Sequence, residues 1–247
     1  MSKKILFSLL GPLVFFGVWQ FFSNFEIIDP SFFPAPFDIF KRMFFLLFHS
    51  DSFLGHILKS SERLLIALLL ALPFSVIVAI LIEFNQVIRL LLRPMISLLY
   101  PLPKVAIFPL LLLIFGIGDA SKVAVLFLGM FFLILLNVEQ GLRRIMSLGY
   151  MNIATVYRIP FLKKIYMIAI RGVLSEILTG IKMAIGNGLV LIVASEFTIA
   201  DKGIGVFIWS SWDQFQIQDV YVGIFILSII SFLCFLMIDF LISRLKA

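Results

Sequence analysis

Residue types that support catalysis or metal binding are scarce in this sequence. Its 247 residues include one cysteine, Cys234, and two histidines, His49 and His56. One cysteine cannot form a disulfide within the chain, and neither histidine belongs to a metal-binding spacing. The patterns G-x-x-x-x-G-K-[ST], H-E-x-x-H and G-x-S-x-G are also missing. We therefore predict no catalytic residue, no metal site and no directly bound cofactor.

Charged residues are also scarce, and long apolar runs take their place. Hydrophobic residues make up 62% of the chain and charged residues 14%, whereas soluble domains are about 45–50% apolar. This composition predicts an integral membrane protein. The net charge of +6 does not indicate nucleic-acid binding, because the basic residues are scattered between apolar runs. Glu196 and Asp239 lie near the ends of such runs, and a proton-driven pump usually shows more buried acids.

Six apolar segments predict an all-α, polytopic membrane fold and a single transmembrane domain over residues 1–247. They cover residues 5–22, 64–82, 95–115, 123–136, 177–197 and 220–242. The first segment also suits a signal peptide, but it is long for one and no small-x-small cleavage site follows, so a retained helix is predicted. Between the first two segments, Phe37, Phe40, Phe44 and Leu47 form an apolar stripe that predicts an interfacial helix.

Two of these segments contain unusual residues for a membrane helix. Pro101, Pro103 and Pro109 occur within nine residues, which no regular helix accommodates. Such a segment either lines a pathway or packs as a kinked helix inside the protein. Lys104 lies in the same segment, where its charge requires water or a partner unless the side chain extends to the membrane surface. In the fifth segment, a small residue recurs every fourth position from Gly180, which predicts close approach of another helix.

The stretch from 137 to 175 is the most basic part of the chain. It contains Arg143, Arg144, Arg158, Lys163, Lys164 and Arg171. An excess of Lys and Arg marks a cytoplasmic loop, and the count with both termini inside is twelve against six. Met146, Tyr150, Ile153 and Tyr157 recur at helical spacing, so we predict an amphipathic helix that ends before Pro160 and a second helix over residues 161–170. Its apolar face would lie on lipid headgroups or dock in a groove of a soluble partner.

Four parts of the chain carry a family likeness. They are FPAPFDIF (33–40), SSERLLIALLLALPFSVIVAIL (60–81), RPMISLLYPLPKVAIFPLLLLIFGIGDASK (93–122), and ILTGIKMAIGNGLVLIVASEF (177–197) with KGIGVFI (202–208). Together they resemble the permease subunits of bacterial ATP-binding-cassette (ABC) importers, in the nitrate, sulfonate and taurine branch. The proline spacing and closing FGIG of the third part are the most specific match.

The resemblance also locates an ATPase-coupling segment. The family's motif, Glu-Ala-Ala with Gly four positions after the last Ala, falls on Asn152, Ile153, Ala154 and Arg158, where Ala154 alone keeps its type. The segment implied for ATPase coupling comprises Asn152, Ile153, Ala154, Tyr157, Arg158, Ile159 and Pro160. It belongs to a cytoplasmic coupling loop over about residues 139–175.

The rest of the mechanism is likewise implied by the resemblance. The fold would be that of a type I ABC importer permease in the bacterial inner membrane, with both termini cytoplasmic. Its partners would be an ATPase subunit that binds the ATP, a second permease copy as a homodimer, and a periplasmic or lipid-anchored substrate-binding protein. The substrate would be a small anion or small organic solute such as nitrate, sulfonate or taurine. The implied translocation path comprises Pro101, Pro103, Lys104, Pro109, Gly180, Ala184, Asn187, Gly188 and Glu196.

Two other classes of function compete with a transport function. A membrane enzyme of lipid or phosphate metabolism would need acids, histidines or serines clustered at one interface, and the sequence shows no such cluster. A non-catalytic membrane scaffold or assembly protein would use the amphipathic loop only to lie on lipid. The two remaining hypotheses, permease and scaffold, differ in whether an ATPase binds the loop.

Overall fold

The computed structural model describes the backbone of residues 2–246. The side chains of residues 2–9, 151, 152, 155, 162, 168 and 246 lie outside the described part. The described residues form α1 (Ser2–Asn24), α2 (Pro36–His49), α3 (Asp51–Phe84), α4 (Gln86–Leu99), α5 (Lys104–Phe115), α6 (Asp119–Ser147), α7 (Tyr150–Val156), α8 (Phe161–Lys164), a π-helical turn (Ile165–Ile170), α9 (Leu174–Thr198), α10 (Ile204–Asp213) and α11 (Ile217–Lys246). The all-α prediction is confirmed.

Four of the described helices are each long and apolar enough to cross a membrane. These are α3, α6, α9 and α11, and the bent pair α4–α5 makes a fifth if it is counted as one span. The backbone of α1 is helical over the predicted first span, residues 5–22, although the side chains of residues 5–9 lie outside the described part. These elements correspond in order to the six predicted spans.

The chain divides into two compact units, Met1–Lys59 with Asp201–Ser228 and Ser60–Ala200 with Ile229–Ala247. In the second unit, α6 and α9 pack closely because small residues line their contact, and α3 shares their apolar core. On α9, a Cβ added to Gly180 would lie 3.0 Å from the Cα of Ile134 in α6. On α3, the fully buried Ala67, Ala71 and Ala79 form a similar stripe. The predicted close approach of a helix to the small residues of α9 is confirmed.

The proline-rich third segment is broken, as its sequence predicts. Pro101 and Pro103 lie between α4 and α5, whose axes differ by 105°. Pro109 is instead accommodated inside α5. This helix packs its buried Phe108 and Leu111 against Val125 of α6.

In the first unit, α2 (Pro36–His49) buries one set of apolar side chains and exposes part of the stripe predicted to lie at the membrane interface. Its buried side chains include Ile39, Met43 and Leu46, whereas Phe37 and Phe44 are exposed. The interfacial position of this helix stays a prediction, and the exposed phenylalanines are compatible with it. Arg42 forms a two-point ion pair with Asp219, with N–O distances of 2.7 and 2.9 Å. This hydrogen bonding raises the pKa of the Arg42 guanidinium above its ordinary value.

Candidate functional site

The candidate coupling segment begins where α6 ends. Gly149 has a φ of +77°, the left-handed conformation that glycine adopts at little cost after a helix. Its amide donates to the Met146 carbonyl at 3.1 Å. The chain then turns directly into α7. Met146 therefore belongs to α6, and the prediction that it shares one continuous helix face with Tyr150 and Ile153 is wrong.

The helix α7 exposes most of its described apolar side chains. Tyr150 is 52% exposed, Ile153 54% and Val156 80%, and Tyr157 just after the helix is 76% exposed. Ala154 is the exception, at 2%. The backbone at Asn152 is helical, but its side chain lies outside the described residues. A seven-residue helix has little stability of its own, so its position depends on the buried Ala154 and on the turns at both ends.

The end of α7 forms a turn that normally contains glycine. Arg158 has a φ of +50°, and the amide of Ile159 donates to the Ala154 carbonyl at 3.0 Å. This is the hydrogen bond of a Schellman-type helix end, with Arg158 in the left-handed position. Pro160 follows, at a point where proline stops a helix. The glycine of the family motif corresponds to Arg158 in this chain, and the backbone conformation at Arg158 also favours glycine.

After α7 the chain returns along the end of α6. Residues 161–170 are helical, as predicted, but Ile165–Ile170 form a π-helical turn. The start of α9 then packs against α6, since a Cβ added to Gly141 would lie 2.8 Å from the Cγ of Glu176. Arg144 closes the contact with an ion pair to Glu176 at 2.5 Å. The predicted loop over residues 139–175 therefore starts within α6, whose last turns are ordered by α9.

Beside this end of α6 lies an ion network formed by Glu83, Arg89, Arg93, Glu139 and Arg143. Arg93 donates to Glu83 at 2.8 Å and to Glu139 at 3.1 Å. Arg143 also contacts both carboxylates. The two carboxylate side chains are only 3% and 4% exposed. Buried carboxylates are stable when they are paired and hydrogen-bonded, and this Glu83–Glu139 network satisfies that requirement while joining α3, α4 and α6.

A second ion cluster lies near the start of the apolar part of α3. Arg63 contacts Glu196 of α9 at 2.6 Å and Asp119 of α6 at 2.7 Å. Ser60 donates to Glu196 at 2.8 Å. The side chains of Arg63 and Glu196 are 5% and 0% exposed. The Arg63 cluster therefore connects α3, α6 and α9.

Sequence reasoning missed both clusters apart from Glu196. Glu83 and Glu139 are far apart in sequence, and each lies just beyond the end of a predicted apolar segment. A usable signal was present, because charges at the ends of apolar segments are costly unless they are paired. The sequence shows which residues need partners, but only the packing of α3 against α6 identifies those partners.

A cavity of about 670 Å³ lies at the break between α4 and α5. Of the residues proposed for the path, Pro101, Pro103, Lys104 and Asn187 line it. The Lys104 ammonium lies 5.3 Å from the centre of the Tyr100 ring and 5.1 Å from that of Phe132, and it donates to the Tyr100 carbonyl. The charge of Lys104 is thereby held by aromatic faces and a carbonyl at the cavity wall.

The other residues proposed for the path do not line this cavity. Gly180, Ala184 and Gly188 lie in the packed contacts of α9, where a Cβ on Gly188 would lie 2.3 Å from Met130. Pro109 is within α5. Glu196 is in the Arg63 cluster. The structure therefore brings together four of the nine residues and places five elsewhere.

Comparison with known proteins agrees with these features. Residues 63–247 match the family described as binding-protein-dependent transport system inner membrane component. The chain is 27% identical over 237 residues to the taurine transport system permease protein of Escherichia coli (strain K12), covering 94% of this chain and 86% of that protein. It is 26% identical to the putative aliphatic sulfonates transport permease protein of Bacillus subtilis (strain 168), covering 90% and 80%.

A third relative has a different substrate in its name. The nitrate import permease protein of Synechococcus elongatus is 28% identical over 209 residues, covering 81% of this chain and 74% of that protein. These relatives are transport permeases and not enzymes, which agrees with the absence of catalytic motifs. The family match covers about three quarters of the chain, from the Arg63 cluster through the cavity and α7. The chain therefore belongs to the family of binding-protein-dependent transport permeases, the inner-membrane components of ABC importers of the nitrate, sulfonate and taurine type.

Proposed function

We propose that this chain forms the translocation path of an ATP-driven importer and couples to a separate ATPase subunit through α7. The exposed apolar surface of Tyr150, Ile153, Val156 and Tyr157 carries the proposal. A short helix with such a surface fits a groove on a soluble partner. The ATPase would bind the ATP, so the permease itself would need no cofactor.

The other parts of the importer follow from the same proposal. The coupling segment would face the cytoplasm, with both termini on that side. A second copy of the chain would complete the path as a homodimer, and a substrate-binding protein would deliver solute from the opposite side.

For the substrate we propose a small anion or small organic solute, of the kind that nitrate, sulfonate and taurine exemplify. Lys104 is the cation among the residues that line the cavity, and Asn187 and Tyr100 add polar groups to an otherwise apolar wall. A single positive charge beside hydrogen-bonding groups suits a compact anion better than a cation. The names of the relatives support this class but do not identify its member.

The direct test is affinity purification of the tagged protein in mild detergent, followed by mass spectrometry. We expect a stoichiometric ATPase that carries a phosphate-binding loop. Tyr157→Glu places a charge on the exposed surface of α7 and is expected to reduce the recovered ATPase at least about tenfold, since a charge buried in an apolar groove is costly. Ala154→Asp is expected to act likewise, but it also perturbs a buried site.

The matched control is Tyr166→Glu, the same change at a tyrosine that is 55% exposed but lies outside α7. This variant is expected to retain the ATPase. Recovery of a folded, oligomeric wild-type chain with no ATPase would contradict the proposal and favour a membrane scaffold. Equal loss from both tyrosine variants would show that α7 has no special part in the association.

A further inference from the structure

The helix α4, which connects α3 to α5, has little buried surface. None of its fourteen residues, all of them described, is fully buried. Its Ile88, Leu92 and Ile96 pack against the core while remaining partly exposed. Elements with few buried contacts are the ones that open or shift most easily. At its end, α4 turns through the 105° bend into the cavity wall, so a movement of α4 would change the shape of the cavity.

Two arginines on α4 belong to the Glu83–Glu139 network, and they have different roles. Arg89 contacts the Glu83 carboxylate at 3.3 Å and the carbonyls of Ile82 and Glu83 at 3.1 and 2.5 Å. All of these groups belong to the end of α3, immediately before α4. Arg93 instead bridges Glu83 of α3 and Glu139 of α6. Arg93 is therefore the arginine of α4 that reaches α6 through this network.

The network also allows α4 to move away from α6 without leaving a buried carboxylate unpaired. Arg143 of α6 contacts the same Oε1 atoms of Glu83 and Glu139 that Arg93 contacts. When Arg93 withdraws, both buried carboxylates retain a guanidinium. Breaking an ion pair is costly mainly when one charge is left buried alone. The shared carboxylates thus make the contact of Arg93 reversible, whereas a single isolated pair would lock α4 to α6.

The same end of α6 leads directly to α7. Arg143 lies in the last turns of α6, and the chain passes through Gly149 into α7 a few residues later. We propose that Arg93 is the positioning residue that ties α4, and with it the cavity wall, to the end of α6 that carries α7. A displacement of α7 is passed to the cavity through this reversible contact. This inference rests on the proposed coupling of α7 to an ATPase.

The test uses hydrogen exchange on the full-length protein, co-purified with its ATPase and placed in lipid nanodiscs. The probe is Mg-ATP with vanadate, compared with no nucleotide. In the wild-type complex we expect exchange to change in α7, in α4 and in residues 100–105. In Arg93→Gln we expect the change in α7 to persist and the changes in α4 and residues 100–105 to fall at least about tenfold. A variant that merely destabilised the protein would alter α7 as well.

The matched control is Arg89→Gln, which removes the same charge from the same helix but leaves the bridge to α6. It is expected to retain the wild-type response. Arg93→Lys keeps the charge but replaces the planar guanidinium, whose separate nitrogens reach the two carboxylates, with a single ammonium group. An intermediate response is therefore expected. If Arg93→Gln responds like the wild type, or if Arg89→Gln loses as much, the inference is wrong.

Failure of the proposed function has a different signature, namely the absence of any nucleotide response in α7 of the wild type. The contact of Arg93 with α6 can then still be tested in the isolated permease. Arg93→Gln is expected to speed exchange in α4 about tenfold over the wild type, and Arg89→Gln by much less. Equal exchange in both variants of the isolated chain would overturn the assignment of Arg93.

Discussion

Removal of Arg63 should destabilise this protein more than removal of any exposed arginine. Its guanidinium lies 2.6 Å from Glu196 and 2.7 Å from Asp119. The Glu196 side chain is 0% exposed, whereas that of Asp119 is 46% exposed. Water can compensate Asp119 after the loss of Arg63, but it cannot easily reach Glu196. The expected cost therefore arises mainly at the buried Glu196 carboxylate, which loses the Arg63 guanidinium and keeps the hydrogen bond from Ser60.

The size of the effect follows from this geometry. Breaking a buried ion pair by removal of one partner costs about 3–5 kcal/mol, and in a chain of this length each kcal/mol lowers Tm by about 2–4 °C. We therefore expect Arg63→Ala to lower Tm by roughly 6–20 °C. The measurement is thermal loss of helical circular dichroism for the purified protein in one detergent.

The control is Arg144→Ala, which removes an ion pair at 2.5 Å whose arginine is 60% exposed. Exposed pairs contribute about 0–1 kcal/mol, so Tm should fall by no more than about 4 °C. Adding Glu196→Gln to Arg63→Ala should restore part of the loss, because it removes the buried charge. The reasoning is refuted if Arg63→Ala is no more harmful than Arg144→Ala, or if the second substitution lowers Tm further.

Two further predictions concern glycine positions. Gly180→Ala should destabilise by about 1–3 kcal/mol through overpacking, since its Cβ would meet the backbone of α6 at 3.0 Å; Gly186→Ala, which meets only a phenylalanine ring end at 3.3 Å, is the control in the same thermal assay. Arg158→Gly should stabilise by about 1 kcal/mol, because φ is +50° there. Gly149→Ala, at φ +77°, should destabilise by about 1 kcal/mol. If both substitutions change the stability in the same direction, the assignment of backbone strain is contradicted.

Local sequence patterns predicted the architecture but not the charge contacts. Prolines at 101 and 103 predict a break because proline removes a donor and clashes with the preceding turn. The small residues from Gly180 predict close packing because they leave room for a neighbouring backbone. By contrast, the partners of Arg93 come from two other helices, and nothing local specifies them. The error at Met146 had a different origin, because the helical spacing of apolar residues continues across Gly149 although the helix ends there.

The positions of the two ion clusters on α3 bear on how this helix crosses the membrane. Arg63 and Glu83 are twenty residues apart, which corresponds to about 30 Å along a helix, close to the thickness of the hydrocarbon core. The residues between them are nearly all apolar, and the charges at both ends are neutralised by partners on α6. Arginines engaged in this way are poor indicators of topology, because their charge is already compensated within the protein. The twelve-to-six count behind the predicted orientation includes Arg63, Arg89, Arg93 and Arg143. The lysines and arginines outside the two clusters are therefore the better basis for that prediction.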